Sequence, residues 1–172
     1  MVQKALTATV LLCWLSLAAC GYHFIGQKSG VLADIHAIAI PYFENKSFEA
    51  GLERYVTEAL VDEFVKSRIL SVVDEAGADA VIRGRIEEFS ESVISYDKDD
   101  LALEYRARVV LDITLERRDT GEIIWRNKGL FHFEEYRVES EIAATEANKK
   151  IALQMTAAEL AEKIHDSIIE GF

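Results

Sequence analysis

Residues 35–40 are apolar at nearly every position. Ile35, Ala37 and Ala39 alternate with His36, Ile38 and Ile40, so both faces of an extended segment are mostly apolar. That pattern predicts a strand inside a sheet. Pro41 ends it, residues 42–47 form a loop, and Ser47 is placed to cap a helix with Glu49 in the first turn. The period then changes from two to nearly four. Across residues 48–69, Leu52, Val56, Leu60 and Phe64 step by four, with Tyr55, Ala59 and Val65 beside them. Glu53, Glu58, Asp62 and Lys66 take the other side. This predicts an amphipathic helix whose apolar face needs a sheet to cover.

Period two then returns. Residues 70–73 read as a short strand and 74–77 as a turn. In ADAVIRGRIEEF, Ala80, Ile82, Gly84 and Ile86 alternate with Val81, Arg83, Arg85 and Glu87, the pattern of a half-buried strand. Asp97-Lys98-Asp99-Asp100 marks a hairpin turn. The clearest alternation follows. Leu103, Tyr105, Ala107, Val109, Leu111, Ile113 and Leu115 share one face; Glu104, Arg106, Arg108, Asp112, Thr114 and Glu116 share the other. Asp119-Thr120-Gly121-Glu122 makes a tight turn, with Gly121 free to take positive φ. Residues 123–136 return as a less regular strand. A long helix runs from 141 to about 169, with Ile151, Met155, Ala158, Ala161, Ile164 and Ile168 as its expected buried stripe. The order β-α-β-β-β-β-α predicts an α+β fold: a two-layer α/β sandwich with two helices on one face of a small, mostly antiparallel or mixed sheet. Residues 34–172 form one domain of ordinary size.

The first residues do not belong to that pattern. Lys4 precedes an apolar run over 5–17 that only Thr7, Thr9 and Ser16 interrupt. A membrane-crossing helix needs about 20 apolar residues, so residues 1–19 read as a signal peptide that is removed on export. Leu17-Ala18-Ala19-Cys20 resembles a bacterial lipoprotein signal, with cleavage before Cys20. That resemblance implies a diacylglyceryl group on the Cys20 thiol and a further acyl chain, such as palmitate, on the new amino terminus. Buried acyl chains contribute about 0.8 kcal/mol per CH₂, and more than one chain holds stably. Cys13 lies in the removed segment, which leaves Cys20 without an intramolecular disulfide partner. Residues 20–33, with three glycines, read as a lipidated tether. Gly21 after the cysteine, rather than Asp, resembles the sorting signal for the outer membrane of Gram-negative cells.

Charge narrows the partners. Thirty acidic residues against nineteen basic ones give a formal charge of −11. Nucleic-acid binders need clustered Lys and Arg, so nucleic acid is disfavoured, as is non-specific attraction to anionic lipid. Candidate chemistry is sparse. His23, His36, His132 and His165 have no ligand spacing, and 97–100 lacks the calcium-loop pattern. Glu87-Glu88 and Glu134-Glu135 are strand neighbours that point to opposite faces, so neither pair makes a dyad. There is no phosphate loop and no nucleophile elbow. The composition predicts a binding or structural protein without cofactor or metal, not an enzyme. The notable residues are Arg83, Arg85, Arg106 and Arg108 on polar strand faces, and Arg117-Arg118 at the second hairpin. Two readings stand: cross-strand pairing with Glu87, Glu104 and Asp112, or a local site for the phosphate or carboxylate groups of an amphiphile.

CGYHF at the cysteine, IAIPYFENKSFEAGLERYVTEALVDEF, ADAVIRGRI, DTGEIIW and ATEANKKIA occur in this order and cover most of residues 20–165. Together they resemble the LptE-like lipoproteins of lipopolysaccharide assembly. The resemblance implies a lipoprotein at the periplasmic face of the outer membrane. It would plug a large β-barrel translocon, help it fold and assist lipopolysaccharide delivery, with basic residues meeting lipopolysaccharide. IAIPYFEN, the following helix and ADAVIRGRI also resemble lipoproteins that activate peptidoglycan synthases or form curli-type secretion pores; a binding subunit of a lipid transporter is a third possibility. The short linker and ATEANKKIA favour the first resemblance.

Overall fold

The computed structural model describes residues 32–170. Residues 1–19, Cys20, His23 and the predicted tether up to residue 31 lie outside the described residues. Leu32 is 1% exposed and sits in the core, so packing begins inside the segment that the pattern assigned to the tether.

In chain order the elements are β1 (Ala37–Ala39), β2 (Glu44–Asn45), α1 (Leu52–Ser67), β3 (Ser71–Val72), a 3₁₀ turn (Glu75–Gly77), β4 (Ala80–Tyr96), β5 (Ala102–Arg117), β6 (Ile123–Arg137) and α2 (Ile142–Glu170). The sheet has six strands in the order β3-β1-β4-β5-β6, with β2 also beside β4. β1 runs parallel to both β3 and β4, so both its edges are paired and it lies inside the sheet, as its sequence pattern predicts. The long strands β4, β5 and β6 form an antiparallel meander. Both helices cover one face of this mixed sheet, which makes the fold an α+β sandwich.

The core lies between the layers. Ile82, Ile86, Val109, Leu111 and Leu115 from the sheet are fully buried against Leu52, Val56, Leu60 and Phe64 of α1 and Leu160 and Ile164 of α2. Each such side chain contributes about 1.5–3 kcal/mol through burial. Gly84 marks a close approach on this face. A Cβ there would lie 2.0 Å from the ring of Phe43, which fills the space above it.

Two expectations need correction. Helix α1 begins at Leu52, not near 48, and Ser47 does not cap it. The Ser47 hydroxyl donates to Asn45 Oδ1 (2.7 Å) and accepts from the Glu49 N–H (3.3 Å), which closes a local turn instead. Gly51, at φ 84°, then starts the helix without a side-chain cap. In α2, Ala161, Ile164 and Ile168 are buried as expected, whereas Ile151 and Met155 are about half exposed and Ala158 is also exposed. The helix touches both the sheet and α1, so its buried side is set by the small residues Ala152, Thr156 and Ala157, beside Leu153 and Leu160. Ile151 and Met155 are turned out of that side towards β6.

Lys149 locks α2 onto the rest of the domain. Its ammonium lies 2.8 Å from Glu49 and 3.3 Å from Glu91, over the ring of Phe89. Burial pulls its pKa down, but the hydrogen bond to Glu49 and the charge of Glu91 outweigh that and leave it raised. The Tyr136 hydroxyl donates to Glu91. Burial, and then that bond, push the Tyr136 pKa up.

Candidate functional site

Parity and two bulges decide what the outer sheet face displays. Arg83 and Arg85 sit opposite Thr114 and Asp112, and these residues sit opposite Arg126 and Lys128 of β6. The β4 register shifts between Ile86 and Glu88. The irregularity brings Glu87 and Glu88 both within reach of outer-face arginines, contrary to simple alternation. Glu87 meets Arg85 at 3.0 Å and Glu88 lies 3.7 Å from Arg108. The β6 register shifts at Gly129, whose φ of 69° suits a residue without a Cβ. Its N–H donates to Asp112 Oδ1 at 2.9 Å.

Around these residues lies an open concavity of about 480 Å³. Arg83, Arg85, Arg126 and Lys128 line it together with Glu44, Asp112 and Glu116. Arg83 is held by Glu75 (2.5 Å) and Glu116 (3.4 Å), and Arg85 by Glu44 (2.9 Å) and Glu87. The hydrogen bonds that Arg85 donates to Glu87 and Glu44 raise its pKa further. Arg126 and Lys128 are exposed and make no ion pair among the described residues. Asp112, directly opposite Lys128, bonds the Gly129 amide instead. The site therefore holds two committed arginines and two uncommitted cations.

The six arginines singled out from sequence do not converge. Only Arg83 and Arg85 reach the concavity. Arg106 and Arg108 lie farther along β5, each 4.5 Å from a ring centroid, over Phe133 and Phe131 respectively. Arg106 also pairs with Glu135 at 2.7 Å. Arg117 and Arg118 clasp one end of the domain. Arg117 grips Asp34 at 2.6 and 3.0 Å, and that bond lowers the Asp34 pKa. Arg118 Nε donates to the Ala78 carbonyl at 2.7 Å. The cross-strand partners anticipated for the arginines are partly different. Glu87 serves Arg85, but Glu104 faces Arg137 at 3.5 Å. Arg126 and Lys128 escaped the sequence reading. The signal was present in WRNKG, where the two cations are two residues apart and so share a face, but their alignment with Asp112 depends on the bulge. Among the described residues, no group of three or more His, Cys, Asp or Glu could hold a metal ion. None of their helices is long and apolar enough to cross a membrane.

The sequence profile of the family described as "LptE: Lipopolysaccharide-assembly" matches residues 35–168, which is nearly the whole domain. This chain belongs to the LptE lipopolysaccharide-assembly family. The concavity and all the strands of this LptE-family member fall inside the matched span. The comparison with curated proteins finds no match. Among solved structures, rare lipoprotein B from Shewanella oneidensis is similar, with a TM-score of 0.55, 15% identity, and coverage of 79% of this chain and 96% of that one. A minor lipoprotein from Acinetobacter baumannii is similar with a TM-score of 0.50, 13% identity, and coverage of 78% and 91%. At these identities the likeness establishes the fold.

Proposed function

We propose that this protein is an outer-membrane lipoprotein, anchored through Cys20 at the periplasmic face. In this reading it docks in a large β-barrel translocon and assists the insertion of lipopolysaccharide. Family membership over residues 35–168 supports the assembly role. The observation that carries the ligand contact is the pair Arg126 and Lys128, uncommitted in a concavity that Arg83 and Arg85 complete. Guanidinium groups match phosphate bidentately, so this set suits the phosphates of lipid A or the inner core. The ion pairs of Arg83 and Arg85 are solvent-exposed, and exposed pairs of this kind add little net stability. Both arginines can exchange a glutamate for a phosphate at little cost. The chain's charge of −11 opposes an anionic ligand at long range. Screening over about 8–10 Å confines that opposition, so the local cations govern contact.

The proposed anchor lies twelve residues before Leu32, which limits the reach of the tether to about 40 Å. Confinement of that kind raises the effective concentration at a membrane-embedded partner without any added contact. The test has two arms. Purification of the anchored chain in detergent recovers one large β-barrel; recovery of a peptidoglycan synthase in its place refutes the barrel reading. At fixed salt, R126E/K128E retains at most about a tenth of the lipopolysaccharide bound by the wild type. Equal retention refutes the concavity as the contact.

A further inference from the structure

Strand β6 is an edge of the sheet: among the described residues only β5 pairs with it. The ladder fixes which of its backbone groups are spare. The Val138 N–H bonds the Leu103 carbonyl, and the register holds Glu104 opposite Arg137 without a break up to Leu111 opposite Leu130. In an antiparallel pair the bonded residues alternate with unbonded ones. Leu130, His132, Glu134 and Tyr136 therefore spend their N–H and C=O groups on β5. Those of Phe131, Phe133 and Glu135 point to the open side. Long open edges are commonly guarded by bulges, prolines or lysines. Here the bulge at Gly129 and Lys128 guard only the first half.

The second half is flanked by apolar surface on both sides. On the outer face, Phe131 and Phe133 are 47% and 39% exposed. On the helix side, a groove of about 270 Å³ runs between residues 135–137 and α2, and the half-exposed Ile151 and Met155 line it. An added strand would thus find ladder partners in the middle and apolar contacts above and below.

We propose that residues 131–137 of β6 accept an extended segment of a different protein as a seventh strand, apolar on both faces and neutral or basic in charge. Charge selects against a second copy of this chain. Antiparallel self-pairing over 131–137 puts Glu134 directly opposite the Glu134 of the other copy, like charges across a strand pair in a chain already at −11. A neutral or basic strand meets no such repulsion. The mode is strand addition, in which main-chain bonds give affinity and alternate side chains give specificity. It rests on the barrel reading above only for the identity of the partner.

The test uses the full-length anchored chain in its own membranes, with photoreactive benzoylphenylalanine in place of Met155, and in place of Val65 on α1 as the control. Irradiation cross-links the Met155 position to an extended partner segment with alternating apolar residues, and the Val65 position does not reach that segment. In the purified complex, the amides of Phe131, Phe133 and Glu135 exchange with deuterium at least about 100-fold more slowly than in the isolated chain, while those of Leu130 and His132 change little. Phe133→Pro removes a spare N–H and leaves the β5 ladder intact, so cross-linked partner falls about tenfold or more. Phe133→Ala, which keeps that N–H, retains most of it. Absence of a cross-link at Met155, or unchanged exchange at the three spare amides, overturns strand addition even if a barrel is recovered. A cross-linked strand from a protein that is not a barrel refutes the barrel reading and leaves strand addition standing.

Discussion

Gly84 offers a direct measure of how tightly the two layers fit. A Cβ at this position would meet Phe43 Cε2 at 2.0 Å and Cδ2 and Cζ at 2.3 Å, against an ordinary contact of 3.4 Å or more. The ring would have to retreat by more than 1 Å. It has little room, because Phe43 is 3% exposed and its N–H donates to Thr57 Oγ1 at 3.1 Å. Forcing a methyl into a packed core costs about 1–3 kcal/mol, and the close overlap places Gly84→Ala near the top of that range. Alanine recovers about 0.5–1 kcal/mol in a strand by restricting the unfolded chain. The net loss is then about 2–2.5 kcal/mol, or roughly 4–10 °C in Tm for a domain of this size. Thermal and urea unfolding of the soluble domain measure it directly. Phe43→Leu supplies the decisive comparison. In its shortened cavity, Gly84→Ala should cost almost nothing or stabilise, giving a coupling of at least about 1 kcal/mol in the double-mutant cycle. Equal costs in the two backgrounds would falsify the claim that the ring requires the glycine.

Two further outcomes follow from other contacts. The Asp79 carboxylate accepts the N–H groups of His36 (2.8 Å) and Ala37 (3.0 Å), and those bonds hold its pKa below the usual carboxylate value. A depressed acid stabilises above its unfolded pKa and loses that contribution as pH falls through the folded one, so the wild type weakens below about pH 4. Asp79→Asn should narrow the gap between urea midpoints at pH 7 and pH 3, and an unchanged gap rules the contribution out. Cys20→Ala should move the exported protein from the membrane to the soluble periplasmic fraction; retention in the membrane, or mass spectrometry showing an unmodified wild-type amino terminus, removes the anchor.

The layers of this fold were legible because its strands alternate cleanly. Ala107 to Leu115 repeats every second residue, and each inward member is buried. Leu52, Val56, Leu60 and Phe64 step by four and are all fully buried. Helix α2 was harder. Its buried side includes Ala152, Thr156 and Ala157, which hydrophobicity ranks low, while the larger Ile151 and Met155 face out. Size misleads where close approach of two elements selects small side chains. The basic concavity was harder still, because it needs a register. Arg126 and Lys128 are ordinary cations in the sequence; the unpaired Gly129 brings them level with Thr114 and Asp112, next to Arg83 and Arg85 on β4. Arg117 and Arg118, the pair that the sequence places at the second hairpin, fasten the end of the domain.

That fastening has a mechanical side. Strand β1 lies parallel between β3 and β4, and Asp34 just before it is gripped by Arg117. Tension arriving along β1 from the direction of residue 32 meets the ion pair first. It then loads the two ladders lengthwise, so their bonds share the load and do not open one after another. A domain held by its leading end while its far side is engaged would resist being dragged apart in that direction far better than if it were peeled from the edge at β6.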